Sequence, residues 1–133
     1  MKNWPAPAKG AHLTLVSYML PSSVIDLREY LDHEGNSPFA LWFDDLDAQA
    51  AVKVTMAVTR LGQGNFSNVK GVGSGVLEYK IDFGPGYRIY IGRDGDCLVI
   101  LLGGGAKKRQ NTDISEAIAR WQDYKKRKKE GDR

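Results

Sequence analysis

The sequence predicts an α+β domain: an N-terminal strand and a helical hairpin packed on an antiparallel sheet, closed by a C-terminal helix. Two observations carry most of that expectation. Between residues 37 and 61 apolar side chains recur at helical spacing behind two good capping residues; between 76 and 102 they alternate or run on, broken by glycine-rich turns. The third is size, since 133 residues make one domain with a real core. A hydrophobic fraction of 42% and a charged fraction of 26% are those of an ordinary soluble globular chain.

Residues 1–23 hold three prolines and no sustained period, and are expected to form a loosely ordered extension. Met19 can even be the natural start, because folded patterning begins only at Val24. The domain proper then runs over 24–130, opening with a strand in "VIDLREYL" (24–31). Ser37 caps the first helix, with Pro38 at its first position, where a missing N–H does no harm. Phe39, Trp42, Phe43 and Leu46 follow at helical spacing. Asp47 caps the second helix, whose expected apolar stripe is Val52, Met56, Val58 or Thr59, and Leu61. Five glycines in residues 62–75 read as loop.

The sheet comes next. In "GVLEYKIDF" Leu77, Tyr79, Ile81 and Phe83 alternate with Glu78, Lys80 and Asp82, the pattern of a half-buried strand. A three-residue Gly84-Pro85-Gly86 turn would pair Ile81 with Ile89, Asp82 with Arg88 and Lys80 with Tyr90. Asp94-Gly95 signals a two-residue hairpin that would set Ile91 against Leu98 and Tyr87 against Leu102. "CLVILL" is apolar on both faces, so it belongs in the centre of the sheet or under a cover. The last helix is expected to start near Thr112 as cap, with Ile114, Ile118 and Trp121 inside and an almost purely charged end beyond Tyr124.

Composition excludes several chemistries. One cysteine, Cys97, placed in an apolar strand, allows no disulfide within the chain and favours a reducing, cytoplasmic setting. The two histidines, His12 and His33, have no partner spacing for a metal or a nucleophile–base pair, so neither metal nor cofactor is expected. No apolar run suits a membrane span or a cleaved signal peptide. Charge is uneven: residues 107–133 hold ten basic and five acidic side chains, whereas 1–106 hold nine and eleven. A positive field at one end suits a polyanionic partner, and equally a solvated helix tail.

The residues best placed for chemistry are the cations. Lys80 and Arg88 fall on the polar face of adjacent strands, and Lys107, Lys108 and Arg109 leave the third strand beside them. Cations converging on one face can hold a phosphodiester and stabilise charge developing at phosphorus. Arginine suits bidentate phosphate contact and lysine offers a point charge or a proton. Tyr87 or Tyr90 is the expected base-stacking ring. The bland alternative is that Arg88 merely pairs with Asp82 and Lys80 is an ordinary surface lysine.

The stretch "VGSGVLEYKIDFGPGYRIYIGRDGDCLVILLGGGAKKRQNTDISEAIARW" resembles the RelE/ParE superfamily of bacterial toxins. More narrowly it resembles the HigB-like addiction module killer group, also found in phage. "LREYLDHEGNSPFALWFDDLD" and "RLGQGNFSNVKGVGSGV" match that group too, so the similarity covers about residues 24–128. The resemblance implies a RelE-like fold and a type II toxin neutralised by a cognate antitoxin with a helix-turn-helix domain. It further implies ribosome-dependent, metal-independent cleavage of mRNA, in which a ribose 2′-hydroxyl attacks the adjacent phosphate. Carried over by position, Lys80 is the base or stabiliser and Arg88 holds the phosphate. Lys107 and Lys108 supply charge or protonate the leaving oxygen. Lys70, Tyr90, Arg109 and Gln110 are the surrounding RNA contacts. Asp82 stands where some members have a second lysine, and Ile114 where RelE-type enzymes have a stacking tyrosine. Other branches of the superfamily poison DNA gyrase and cut nothing, and a degenerate member would retain only antitoxin binding.

Overall fold

A computed structural model describes residues 25–131. The expected extension 1–23, with Met19 and His12, lies outside the described residues. The elements are β1 (Asp26–Glu29), α1 (Pro38–Asp44), α2 (Ala48–Gly62), β2 (Val69–Gly73), β3 (Val76–Ile81), β4 (Tyr87–Arg93), β5 (Leu98–Ala106), a single 3-10 turn (Lys107–Arg109) and α3 (Gln110–Lys129). They build one five-stranded sheet in the order β1-β5-β4-β3-β2. The class is α+β, as expected, but the sheet is mixed: β1 runs parallel to β5, while the other pairs are antiparallel. No described helix is long and apolar enough to cross a membrane.

Both hairpin helices start as the sequence indicated. Ser37 Oγ accepts from the Ala40 N–H at 3.0 Å and Asp47 Oδ1 from the Ala50 N–H at 2.8 Å, each satisfying an orphaned donor of the first turn. The buried stripe of α2 is Ala50, Val54, Ala57, Val58 and Leu61. Val52 and Met56, expected in it, face solvent at 57% and 42% exposure. Val58 and Leu61 are buried as expected, and the stripe runs on through Ala50, Val54 and Ala57.

Three other expectations are corrected. The glycine-rich stretch holds a strand, β2, which pairs with β3 through Val69↔Tyr79, Lys70↔Glu78 and Gly71↔Leu77. Backbone hydrogen bonds need no side chains, so glycine hid it. The β3–β4 turn takes in Asp82 and Phe83, shifting the register by two residues: Lys80 pairs with Arg88, Ile81 with Tyr87 and Glu78 with Tyr90. Its backbone closes through Gly86 N–H to Phe83 O at 2.9 Å, with Gly84 and Gly86 at φ 55° and 78°. Between β4 and β5 the loop is longer than a two-residue turn. Arg93 pairs with Val99, and a bulge between Tyr90 and Ile91 sets Tyr87 opposite Ala106. Cys97 is exposed in that loop rather than in a strand.

Each face of the sheet carries its own core. Toward α1 and α2 lie Phe39, Val54, Val58, Leu61, Tyr79, Ile89, Ile91, Val99 and Leu101. Toward α3 lie Tyr30, Val76, Tyr90, Ile100, Leu102, Ala117 and Trp121. The doubly apolar β5 is therefore covered on both sides, between β1 and β4. Two tryptophans seat on glycine: a methyl group added to Gly104 would meet Trp42 at 2.3 Å, and one on Gly92 would meet Trp121 at 2.4 Å.

Candidate functional site

The α3-facing side of β2, β3 and β4 gathers the cations. Directly paired residues on antiparallel strands share a face, and the face repeats every second residue. One row is therefore Lys70, Glu78, Tyr90 and Gly103, and the next is Lys80, Arg88 and Gly105. Lys70 and Lys80 are exposed, on or beside the edge strand. Arg88 is only 5% exposed and Glu78 only 1%.

Around Arg88 the polar groups are close but incompletely paired. Its Nη1 donates to Gly86 O at 2.9 Å, and its Nε lies 3.8 Å from Glu78 Oε2. That carboxylate oxygen accepts instead from Gln110 Nε2 at 2.8 Å, tying the first turn of α3 to the middle of β3. Lys70 Nζ lies 3.9 Å from the other oxygen, Glu78 Oε1. Asp113, one turn further along α3, sinks against β5 where Gly105 has no side chain; a methyl there would overlap Asp113 Oδ2 at 1.9 Å. Glu78 Oε1, Arg88 Nε, Tyr90 Oη and Asp113 Oδ2 are all buried without a hydrogen-bond partner. Protein interiors rarely tolerate such groups, so four together mark a place where packing was not optimised for stability alone.

The electrostatics agree with that density of charge. Burial, and then the Glu78 carboxylate, push the Tyr90 hydroxyl well above the ordinary tyrosine range. Burial also raises the Asp113 carboxyl, against the opposing pull of Arg109. Arg109 reaches Asp113 and Glu116 at 3.9 Å each while remaining largely exposed.

The eight residues singled out from sequence thus separate into two groups. Lys70, Lys80, Arg88 and Tyr90 share one sheet face, and Gln110 is bonded to its centre. Lys107, Lys108 and Arg109 form the exposed 3-10 turn at the end of β5. A methyl added to Gly86 would lie 3.3 Å from Arg88 Nη1 and 3.8 Å from Lys107 Cβ, so guanidinium and turn border the same point. Tyr90 is corrected: at 1% exposure, with its ring in the α3-side core, it has no free face for a base. The Asp82–Arg88 pairing is corrected as well, because Asp82 is exposed in the turn and Glu78 is the carboxylate facing Arg88. The start of α3 also differs from expectation. It begins at Gln110 without a side-chain cap, because the 3-10 turn leads into it directly and Gln110 N–H bonds to Lys107 O.

Sequence reasoning missed Glu78 and Asp113. Glu78 stood in plain alternation with Lys80, a sign of a solvated face; nothing in the strand itself shows that α3 will lie across it. Among the described residues no three His, Cys, Asp or Glu side chains are grouped as a metal ion requires.

No family model matches the chain. A protein of Haemophilus influenzae, described only as uncharacterized, is 41% identical over 80 residues, which cover 59% of this chain and 81% of the relative. The chain belongs to that protein's family. Membership brings no activity with it, so the function must be argued from the site.

Proposed function

We propose that the protein is the toxin of a type II toxin–antitoxin pair, a RelE-like endoribonuclease that cuts mRNA on the ribosome without a metal. The observation that carries this reading is the Lys80↔Arg88 pairing on one face, with the Arg88 guanidinium and the Lys107 Cβ both beside Gly86. A scissile phosphodiester held there meets cations from three separate segments. Arg88, buried and fixed between Gly86 O and the Glu78 carboxylate, acts through its positive field on the charge that grows at phosphorus. The ribose 2′-oxygen attacks phosphorus as its proton passes to water, and the Lys80 ammonium stabilises the charge that develops there. The P–O5′ bond breaks, and Lys107 or Lys108 delivers a proton to the departing 5′-oxygen, leaving a 2′,3′-cyclic phosphate. Lys70, Arg109 and Gln110 flank the substrate strand. An antitoxin with a helix-turn-helix domain would silence the protein by covering this basic face, and the setting is the cytoplasm.

Induction of the protein in a bacterial host, with mapping of mRNA 5′ ends, tests the proposal. Growth arrest with messages cut inside translated codons is the expected result. Lys80→Ala and Lys107→Ala, both at exposed positions, are expected to keep the fold and lose cutting. Arrest with intact messages and altered plasmid topology would instead identify a gyrase-directed toxin. Unimpaired growth would leave a regulatory, antitoxin-binding role.

A further inference from the structure

We infer that a groove between α2 and the free edge of β3 carries the strand of RNA adjoining the cleaved bond; the inference rests on the nuclease reading above. The pairing of β2 with β3 reaches only to Val69↔Tyr79, so the edge of β3 beyond Tyr79 has no strand beside it. There α2 and the sheet edge enclose a cavity of about 440 Å³, within the range of roughly 300–1,000 Å³ typical of ligand clefts. Its lining carries three cations, Lys53, Arg60 and Lys80, against one carboxylate, Asp82. Lys53 and Arg60 stand seven residues apart on one face of α2, and both are exposed. The Lys53 ammonium sits 5.3 Å from the centre of the Phe83 ring. The side chains of Arg60 and Lys80 make no hydrogen bond or ion pair among the described residues, so their charge is free for a ligand. Phe83, half-buried, is the ring the groove exposes; Tyr79 and Ile81 back it from the core at 2% and 8% exposure.

Exposed cations beside a half-buried ring suit a single nucleic-acid strand: charge for the backbone and, at Phe83, a ring for a base. An acidic peptide would satisfy the cations too. RNA is favoured because Lys80 belongs to both places, lining the groove and standing opposite Arg88, so the groove continues from the cleavage face.

The test uses the whole chain and a fluorescent, single-stranded 2′-O-methyl oligoribonucleotide, whose blocked 2′-oxygen separates binding from cleavage. Anisotropy titrations across a salt series compare the parent with Lys53→Gln/Arg60→Gln. Each phosphate contact on a single strand contributes about 0.7 to the slope of log K against log salt, so losing two is expected to flatten it by about 1.4. Affinity at low salt is expected to fall about tenfold or more. A control pair at the far end of α3, Lys126→Gln/Lys129→Gln, is expected to leave the slope unchanged. An unaltered slope in the groove variant, or an equal loss in the control, overturns the inference. So does a variant that keeps RNA affinity and loses binding of an oligoglutamate probe, which would make the groove a peptide site. Cleavage of unmodified ribosome-bound message is scored separately: intact message with groove-dependent RNA binding defeats the nuclease reading and keeps the groove, and cutting with an unaltered slope does the reverse.

Discussion

At its C-terminal end α3 is bonded to the rest of the fold, group by group. Asp123 accepts from Tyr30 Oη at 2.6 Å and from Arg127 Nε at 3.0 Å, and Arg127 also donates to Leu31 O and lies over the Tyr30 ring. Lys128 reaches both oxygens of Asp94, whose Oδ2 also accepts from Tyr124 Oη at 2.6 Å. At the other end of the same helix, Gln110 and Asp113 close over Glu78, Arg88 and Tyr90, and four buried polar atoms lack a hydrogen bond. Among the described residues the one other such atom is Glu29 Oε1. One end spends its charge on anchoring; the other keeps donors and acceptors unspent. Stability alone would select the first arrangement everywhere, so the second points to a site.

The largest test of that contrast is removal of a buried charge. Glu78→Ala leaves the Arg88 guanidinium buried without its carboxylate, and breaking such a pair costs about 3–5 kcal/mol. Urea unfolding is expected to show that loss; a change below about 1 kcal/mol would mean that another group takes over the guanidinium's charge. Next comes Gly105→Ala, whose methyl collides with Asp113. Overpacking of this kind costs about 1–3 kcal/mol. In an Asp113→Ala background most of that cost is expected to disappear, and persistence would place the clash elsewhere.

Tyr30→Phe probes the anchored end. Loss of a hydrogen bond to a charged group costs about 1.5–3 kcal/mol when buried, and less at this part-buried pair. The hydrogen bond from Tyr30 is the main reason the Asp123 carboxyl titrates below its usual range. Its stabilising contribution is therefore complete above the ordinary carboxylate pKa and lost as pH falls through the lowered one. The gap between parent and variant is expected to be widest near neutrality and to narrow in acid, read from Tm against pH.

Asp113→Asn is the smallest and has the opposite sign. Burial raises this carboxyl, so its ionisation opposes folding at neutral pH, and the penalty fades as pH drops toward the unfolded value of 3.8. Against that stands an ion pair with Arg109, a residue 59% exposed, and such pairs contribute little. The variant is expected to show a slightly higher Tm at neutral pH and none of the gain in acid. A lower Tm at pH 7 would show that Asp113 has a partner of real strength.

Much of this molecule was legible from local chemistry. Ser37-Pro38 and Asp47 mark helix starts because a cap satisfies donors within its own turn, and the alternation from Leu77 to Ile81 marks a strand because the pleat has a period of two. Lys80 and Arg88 were placed on one face, correctly, although by the wrong pairing, since an even shift of register keeps every side chain on its side. What no segment contains is the identity of its neighbour. That the edge of β3 gains β2, that β1 joins parallel to β5, that α3 buries Glu78, Arg88 and Tyr90, and that α2 turns Lys53 and Arg60 toward the open edge were settled only when distant segments met. Periodicity and capping act within a few residues, whereas burial and the pairing of charge depend on contacts tens of residues apart, and those exist only in the assembled fold.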